Sequence, residues 1–166
     1  MTWLRLVAGA VGVGLVLRVA SRRVLAPSGD GEMLPTHVGV TAGIRDLALA
    51  IAHAEGFGRP GAIPTRANNP GDLVIPGWSG AQLGAEGISV FPSESAGWDA
   101  LYAQLQRIVD GRSHIYTVQT TIGEMARRWT ATDVESWTTN VIAYLVAHGY
   151  SAVTAETPIG RIVWTA

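Results

Sequence analysis

The sequence predicts an α+β fold that is mainly helical, on three observations. Four segments carry apolar residues at helical period, each opened by a residue suited to capping. Two short apolar runs with strand character lie between the first and second of these segments. At 166 residues, 48% hydrophobic, 15% charged and without cysteine, the chain is one domain's worth and must hold itself by a single core. A net charge of -1 argues against nucleic acid as the main ligand, because phosphate binding needs a clustered basic surface.

Residues 1–23 are a different material, and they raise the mean hydropathy to +0.23. The apolar run from Leu6 to Leu17, flanked by Arg5 and Arg18, predicts an N-terminal membrane helix that engages the bilayer through residues 3–20, with arginine stems snorkelling at its ends. A secretory signal peptide is the rival reading, and Arg18, Arg22 and Arg23 directly after the run count against it. The same arginines would leave the rest of the chain on the cytoplasmic side. Residues 24–40, rich in Pro, Gly and small polar residues, read as a tether of at most ~55–60 Å. A folded domain is expected over 41–166.

Thr41 can cap a first helix on which Ile44, Leu47, Ala48, Ile51 and Ala52 form one stripe, with Gly56 closing it in a left-handed turn. Glu55 stands eleven residues after Ile44, which at ~100° per residue returns it to the apolar face. Partial desolvation, the negative end of the helix dipole and the scarcity of cations nearby in sequence favour its protonated form, as a general acid requires. A solvent-facing carboxylate in a frayed last turn is the plainer alternative.

Asn69-Pro70-Gly71-Asp72 predicts a type II turn that presents the Asn68 and Asn69 amides. Residues 72–76 and 87–91 then read as two strands of a hairpin, joined by a glycine-rich loop containing Trp78. A second helix follows Pro92, capped by Ser93 or Ser95, with Trp98, Leu101, Tyr102, Leu105, Ile108 and Val109 as its stripe before Gly111. A third opens on a capping box, Thr121 to Glu124, and offers Ile122, Met125, Ala126 and Trp129 to the core. The last opens at Asp133 and lines up Val134, Trp137, Val141, Tyr144, Leu145 and His148 before Gly149. The four histidines show no metal-ligand spacing, and no metal site is expected.

The segments IAHAEGFGRPGAIPTRANNPGDL, VFPSESAGWDALYAQLQRIVDG, TIGEMARRWTATD and VIAYLVAHGY…TPIG resemble the bacterial and phage lysozyme-like superfamily, in its glucosaminidase-like and lytic-transglycosylase branch, from Ile44 to Gly160. The resemblance implies a lysozyme-like helical domain with a small hairpin after the catalytic helix. It implies peptidoglycan glycan strands as the partner and Glu55 as the acid that cleaves the MurNAc-GlcNAc β-1,4 bond. It places the turn, with Asn68, Asn69 and Gly71, beside the cleft, together with Phe91. Asp72 stands where many relatives have Asn, and Trp137 where a tyrosine often lines the site. Trp78 offers a sugar platform, and Tyr144 a cleft border on the last helix.

Glycosidic cleavage needs the leaving oxygen protonated as positive charge develops at C1. A hydrolase adds a second carboxylate, for which Asp72 and Glu86 are available. A lytic transglycosylase uses the muramic acid's own 6-hydroxyl instead, and a single-glutamate enzyme of that kind, without cofactor, is the reading preferred. The alternatives are a lysozyme-type hydrolase and a non-catalytic wall-binding or virion structural protein, for which Trp78 and Phe91 would serve as sugar platforms. The expected location is the bacterial envelope, on its periplasmic face and so against the orientation that the arginines favour, or a phage virion membrane, where that conflict is relaxed.

Overall fold

Residues 40–130 and 132–165 are described by the computed structural model. The expected membrane segment over 1–23 and the tether, except for Val40, lie outside the described residues. Among the described residues no helix is long and apolar enough to cross a membrane. The elements are α1 (Ala42–Glu55), α2 (Ile63–Arg66), β1 (Gln82–Leu83), β2 (Ser89–Val90), α3 (Glu94–Val109), α4 (Ile122–Trp129), α5 (Val134–Ala147) and α6 (Gly160–Val163), with a 3-10 turn at Trp78–Gly80 before β1. The described residues are mainly helical with one small antiparallel hairpin.

Helix α1 is the central element because almost every side of it is small or apolar. Ile44, Leu47, Ala48, Ala50, Ile51 and Ala52 are all buried, against α5, α6 and α3. The Thr41 hydroxyl accepts from Ile44 N at 3.2 Å and donates to the Val163 carbonyl at 3.0 Å, so one side chain both caps α1 and ties it to the end of α6. Gly43 permits that contact: a β-carbon there would lie 2.0 Å from the Ile162 carbonyl oxygen. At the other end Gly56 takes φ 78° and its N–H returns to the last turn, as a left-handed C-terminal cap does.

Helix α5 runs antiparallel to α1. Trp137, near its start, meets Glu55 at the end of α1, and Tyr150, just past its end, donates to Asp46 near the start of α1 at 2.6 Å. The expected caps form in α3 at Ser93, in α4 with both bonds of the Thr121–Glu124 box, and in α5 at Asp133. Helix α5 stops at Ala147, one residue short of the expected stripe. His148 is exposed, with its Nδ1 2.7 Å from the Tyr144 carbonyl oxygen.

The hairpin is not where the sequence places it. The partner of 89–90 is Gln82–Leu83, paired Gln82 to Val90 and Leu83 to Ser89, while residues 72–75 are irregular. The reason is a buried side chain. Ser89 N donates to the Leu73 carbonyl, which would begin a ladder, but the Ser89 carbonyl is taken by the Asn69 amide and Ile75 N turns to the Ser89 hydroxyl. Asn69 thus substitutes for a strand.

The turn differs as well. Asp72 N closes it on the Asn69 carbonyl at 3.1 Å, yet Gly71 does not take positive φ, so the type II form is not adopted. The left-handed residues are the flanking Asn68 (φ 52°) and Asp72 (φ 51°). Gly71 is required for space: a β-carbon there would lie 2.9 Å from Leu101 Cδ1. Helices α2 and α6, four residues each, carry too little periodicity to be read from sequence.

Candidate active site

Glu55 is the final residue of α1 and is half-buried. The apolar face that buries α1 against α5 brings Trp137, itself 4% exposed, across the interface. Its Nε1 donates to Glu55 Oε1 at 2.7 Å, a short bond that fixes the carboxyl plane relative to α5. The frayed, solvent-facing glutamate is therefore not what forms.

Trp137 in turn faces Trp129 of α4, with ring centroids 6.5 Å apart and planes at 35°. Trp129 Nε1 donates to the Gly71 carbonyl at 3.0 Å, and Tyr116 lies against its ring at 5.9 Å. An unbroken path, Glu55 to Trp137 to Trp129 to Gly71, therefore joins the carboxyl to the Asn-Pro-Gly turn. By helical period alone Trp129 reads only as core packing. The available signal is its indole N–H, which needs an acceptor when the ring is buried.

The expected scarcity of cations around the end of α1 does not hold in space. Arg59 folds back over Gly56, its Nε and Nη1 3.6 Å from where a β-carbon would stand. His53, on the outer side of α1, has its pKa lowered by burial, then by Arg59 and His148.

The turn residues divide into two kinds. Asn69 is fully buried; its Nδ2 donates to the Leu73 and Ser89 carbonyls at 2.9 and 2.8 Å, and its Oδ1 accepts from Leu73 N at 2.8 Å. Its amide is saturated inside the protein, which corrects the expectation that it contacts a ligand. Asn68 is half-buried, with Nδ2 donating to the Phe91 carbonyl at 3.1 Å. Gly71 is buried, and its carbonyl faces Trp129. Asp72 is half-buried at the edge of the turn.

Phe91 is 2% exposed and belongs to the core, so it offers no sugar platform. Trp78 is 41% exposed and stands over a shallow cavity of about 200 Å³, bordered also by Ile75, Ala100, Gln104 and Arg107. Neither Glu55 nor Trp137 lines that cavity. Tyr144 stacks on His148 at 3.9 Å and packs near His53 at 5.4 Å, two turns along α5 from Trp137. Glu86 pairs with Arg66 at 3.1 Å, both largely exposed, linking the hairpin tip to α2.

Compared with protein-family models, curated proteins and solved structures, the chain matches none. The resemblance to lysozyme-like proteins therefore stands on the motifs alone.

Proposed function

We propose that the protein is a lytic transglycosylase of lysozyme-like type, acting on peptidoglycan glycan strands with Glu55 as its single acid–base group. The observation that supports this reading best is the 2.7 Å bond from Trp137 Nε1 to Glu55 Oε1, which holds a half-buried carboxyl in one orientation at the end of a rigid helix. The path through Trp129 to Gly71 supports a site in which the Asn-Asn-Pro-Gly turn and the acid form one unit.

Glu55 donates its proton to the leaving glycosidic oxygen, and the C1–O bond breaks as positive charge develops at C1. The 6-hydroxyl of the same muramic residue then attacks C1, and the ionised Glu55 accepts the hydroxyl proton, restoring the acid. One C–O bond breaks, one forms, and no water is consumed. The product ends in a 1,6-anhydro ring.

Glu86 is a weak candidate for the second carboxylate of a hydrolase, because it stands exposed at the hairpin tip, paired with Arg66. Burial of Phe91 removes one of the two aromatic platforms that a purely wall-binding module would use. We further assign the apolar run over residues 3–20 to a membrane anchor, from which residues 24–40 tether the domain near its glycan.

The test is turbidity clearing of purified peptidoglycan by the wild-type chain and by Glu55→Gln, followed by mass spectrometry of released fragments. Clearing by wild type with 1,6-anhydro ends, and loss in Glu55→Gln, is the expected result. Products heavier by one water would indicate hydrolysis, and retained clearing in Glu55→Gln would remove the acid assignment.

A further inference from the structure

We infer that Trp129 is a positioning residue that couples the Asn-Pro-Gly turn to Glu55, acting through Trp137 and resting on the reading of Glu55 as the acid. The geometry for this comes from three elements distant in sequence. Trp129 closes α4 and is half-buried, so its ring has a packed face toward Trp137 and Tyr116 while its Nε1 reaches the Gly71 carbonyl. That hydrogen bond spans 58 positions of sequence and the Trp137–Glu55 bond spans 82. Between them lies the contact of two indole rings, within the wider packing of α4 on α5.

Each end of the path is immobile for its own reason. At the turn, Asn69 is locked by three hydrogen bonds. Gly97 of α3 is so close to the turn that a β-carbon there would lie 1.8 Å from the Asn68 carbonyl oxygen. At the acid, Glu55 ends α1, whose inner face is buried against α3, α5 and α6, and Trp137 is 4% exposed. Trp129 is the joint between two fixed bodies, and a single donor–acceptor pair, Nε1–H to the Gly71 carbonyl, sets its register. Without that bond, Trp129 keeps its packing but no longer ties Trp137 to the turn.

Spatial continuity alone does not prove coupling, so the test measures coupling directly. In the full chain, Trp129 is replaced by β-(3-benzothienyl)alanine, which exchanges the indole N–H for sulfur in a ring of nearly the same size. Trp129→Phe is made in parallel and also combined with Trp137→Phe. Thermal melting confirms that each variant is folded. Solvent exchange of the Trp137 indole N–H by NMR is the readout that needs no enzymatic activity.

The expected results are exchange of the Trp137 proton faster by about tenfold, kcat on peptidoglycan lower by about tenfold, and KM within about twofold of wild type. The effects of Trp129→Phe and Trp137→Phe on kcat should combine non-additively. Unchanged Trp137 exchange in the folded benzothienyl variant, an unaltered kcat, or additive effects would overturn the role of Trp129. A wild-type chain that does not cleave glycan would instead refute the proposed function, while the exchange measurement would still show whether Trp129 holds Trp137.

Discussion

Trp137 donates its indole N–H to Glu55 across the α1–α5 interface, joining the last residue of one helix to the first turn of another 82 positions later. Trp137→Phe keeps a ring in the core but deletes the donor and part of the buried surface. The expected loss is about 2–4 kcal/mol of unfolding free energy, measured by urea denaturation, together with most of the glycan-clearing activity.

Glu55→Gln keeps an acceptor oxygen for Trp137 but has no proton to give. It should remain folded, with near-native circular dichroism, while clearing of peptidoglycan falls by a factor of about 10² or more. Asp72→Asn is the companion measurement. A single-acid transglycosylase retains most of its rate in that variant, whereas a hydrolase using Asp72 loses it.

Asn69 is expected to be indispensable to the turn in a way that depends on chemistry rather than size. Asn69→Ala takes the side-chain partner from the Ser89 carbonyl and from Leu73 N and leaves the Leu73 carbonyl with Ser89 N alone, at a cost of about 3 kcal/mol. Asn69→Asp is nearly isosteric, yet at neutral pH it sets a carboxylate oxygen against the Leu73 and Ser89 carbonyls, so it should be the worse of the two. Chemical denaturation at pH 7 ranks them; an Asp variant as stable as wild type would contradict the assigned bonds.

In an ordinary helix interior, Gly→Ala is stabilising by about 1 kcal/mol. At Gly97 the sign should reverse, because the added carbon would meet the Asn68 carbonyl oxygen at 1.8 Å and either the turn or α3 must move. Melting temperatures of Gly97→Ala and wild type decide this, and an increase would count against the packing described.

The alkaline limb of stability should be set partly by tyrosine. Burial, followed by the hydrogen bond to Asp46, raises the Tyr150 pKa to about 12. A phenol that ionises later in the folded chain than in the unfolded one gives stability that is complete below pH 10 and is lost as pH rises through about 12. Tyr102, Tyr116 and Tyr144 are shifted in the same direction, each first by burial. Phenolate absorbance followed against pH should therefore lag behind that of the denatured chain, and Asp46→Asn should bring one group forward. His53 acts in the opposite range: its lowered pKa gives a contribution present above 6.5 that fades as pH falls.

Helix positions are legible in the sequence because their chemistry is local. A threonine, serine or aspartate three residues before an N–H that it can accept from marks the start of α1, α3, α4 and α5 from within one turn. The hairpin is not, because an asparagine side chain occupies the carbonyl that the expected strand would have used, a tertiary event invisible in alternation of apolar residues. At the site, Glu55 is readable from helical phase and the turn from its proline and glycine. Arg59 over Gly56, the burial of Phe91 and the Trp129–Gly71 bond depend on how distant elements fold back, which no spacing along the chain encodes.

The bond from Thr41 to the Val163 carbonyl brings the two extremities of the described domain together at one pole. Glu55 lies at the opposite end of α1, whose 14 residues span about 21 Å. The chain therefore enters and leaves the described domain at the pole farthest along α1 from the acid.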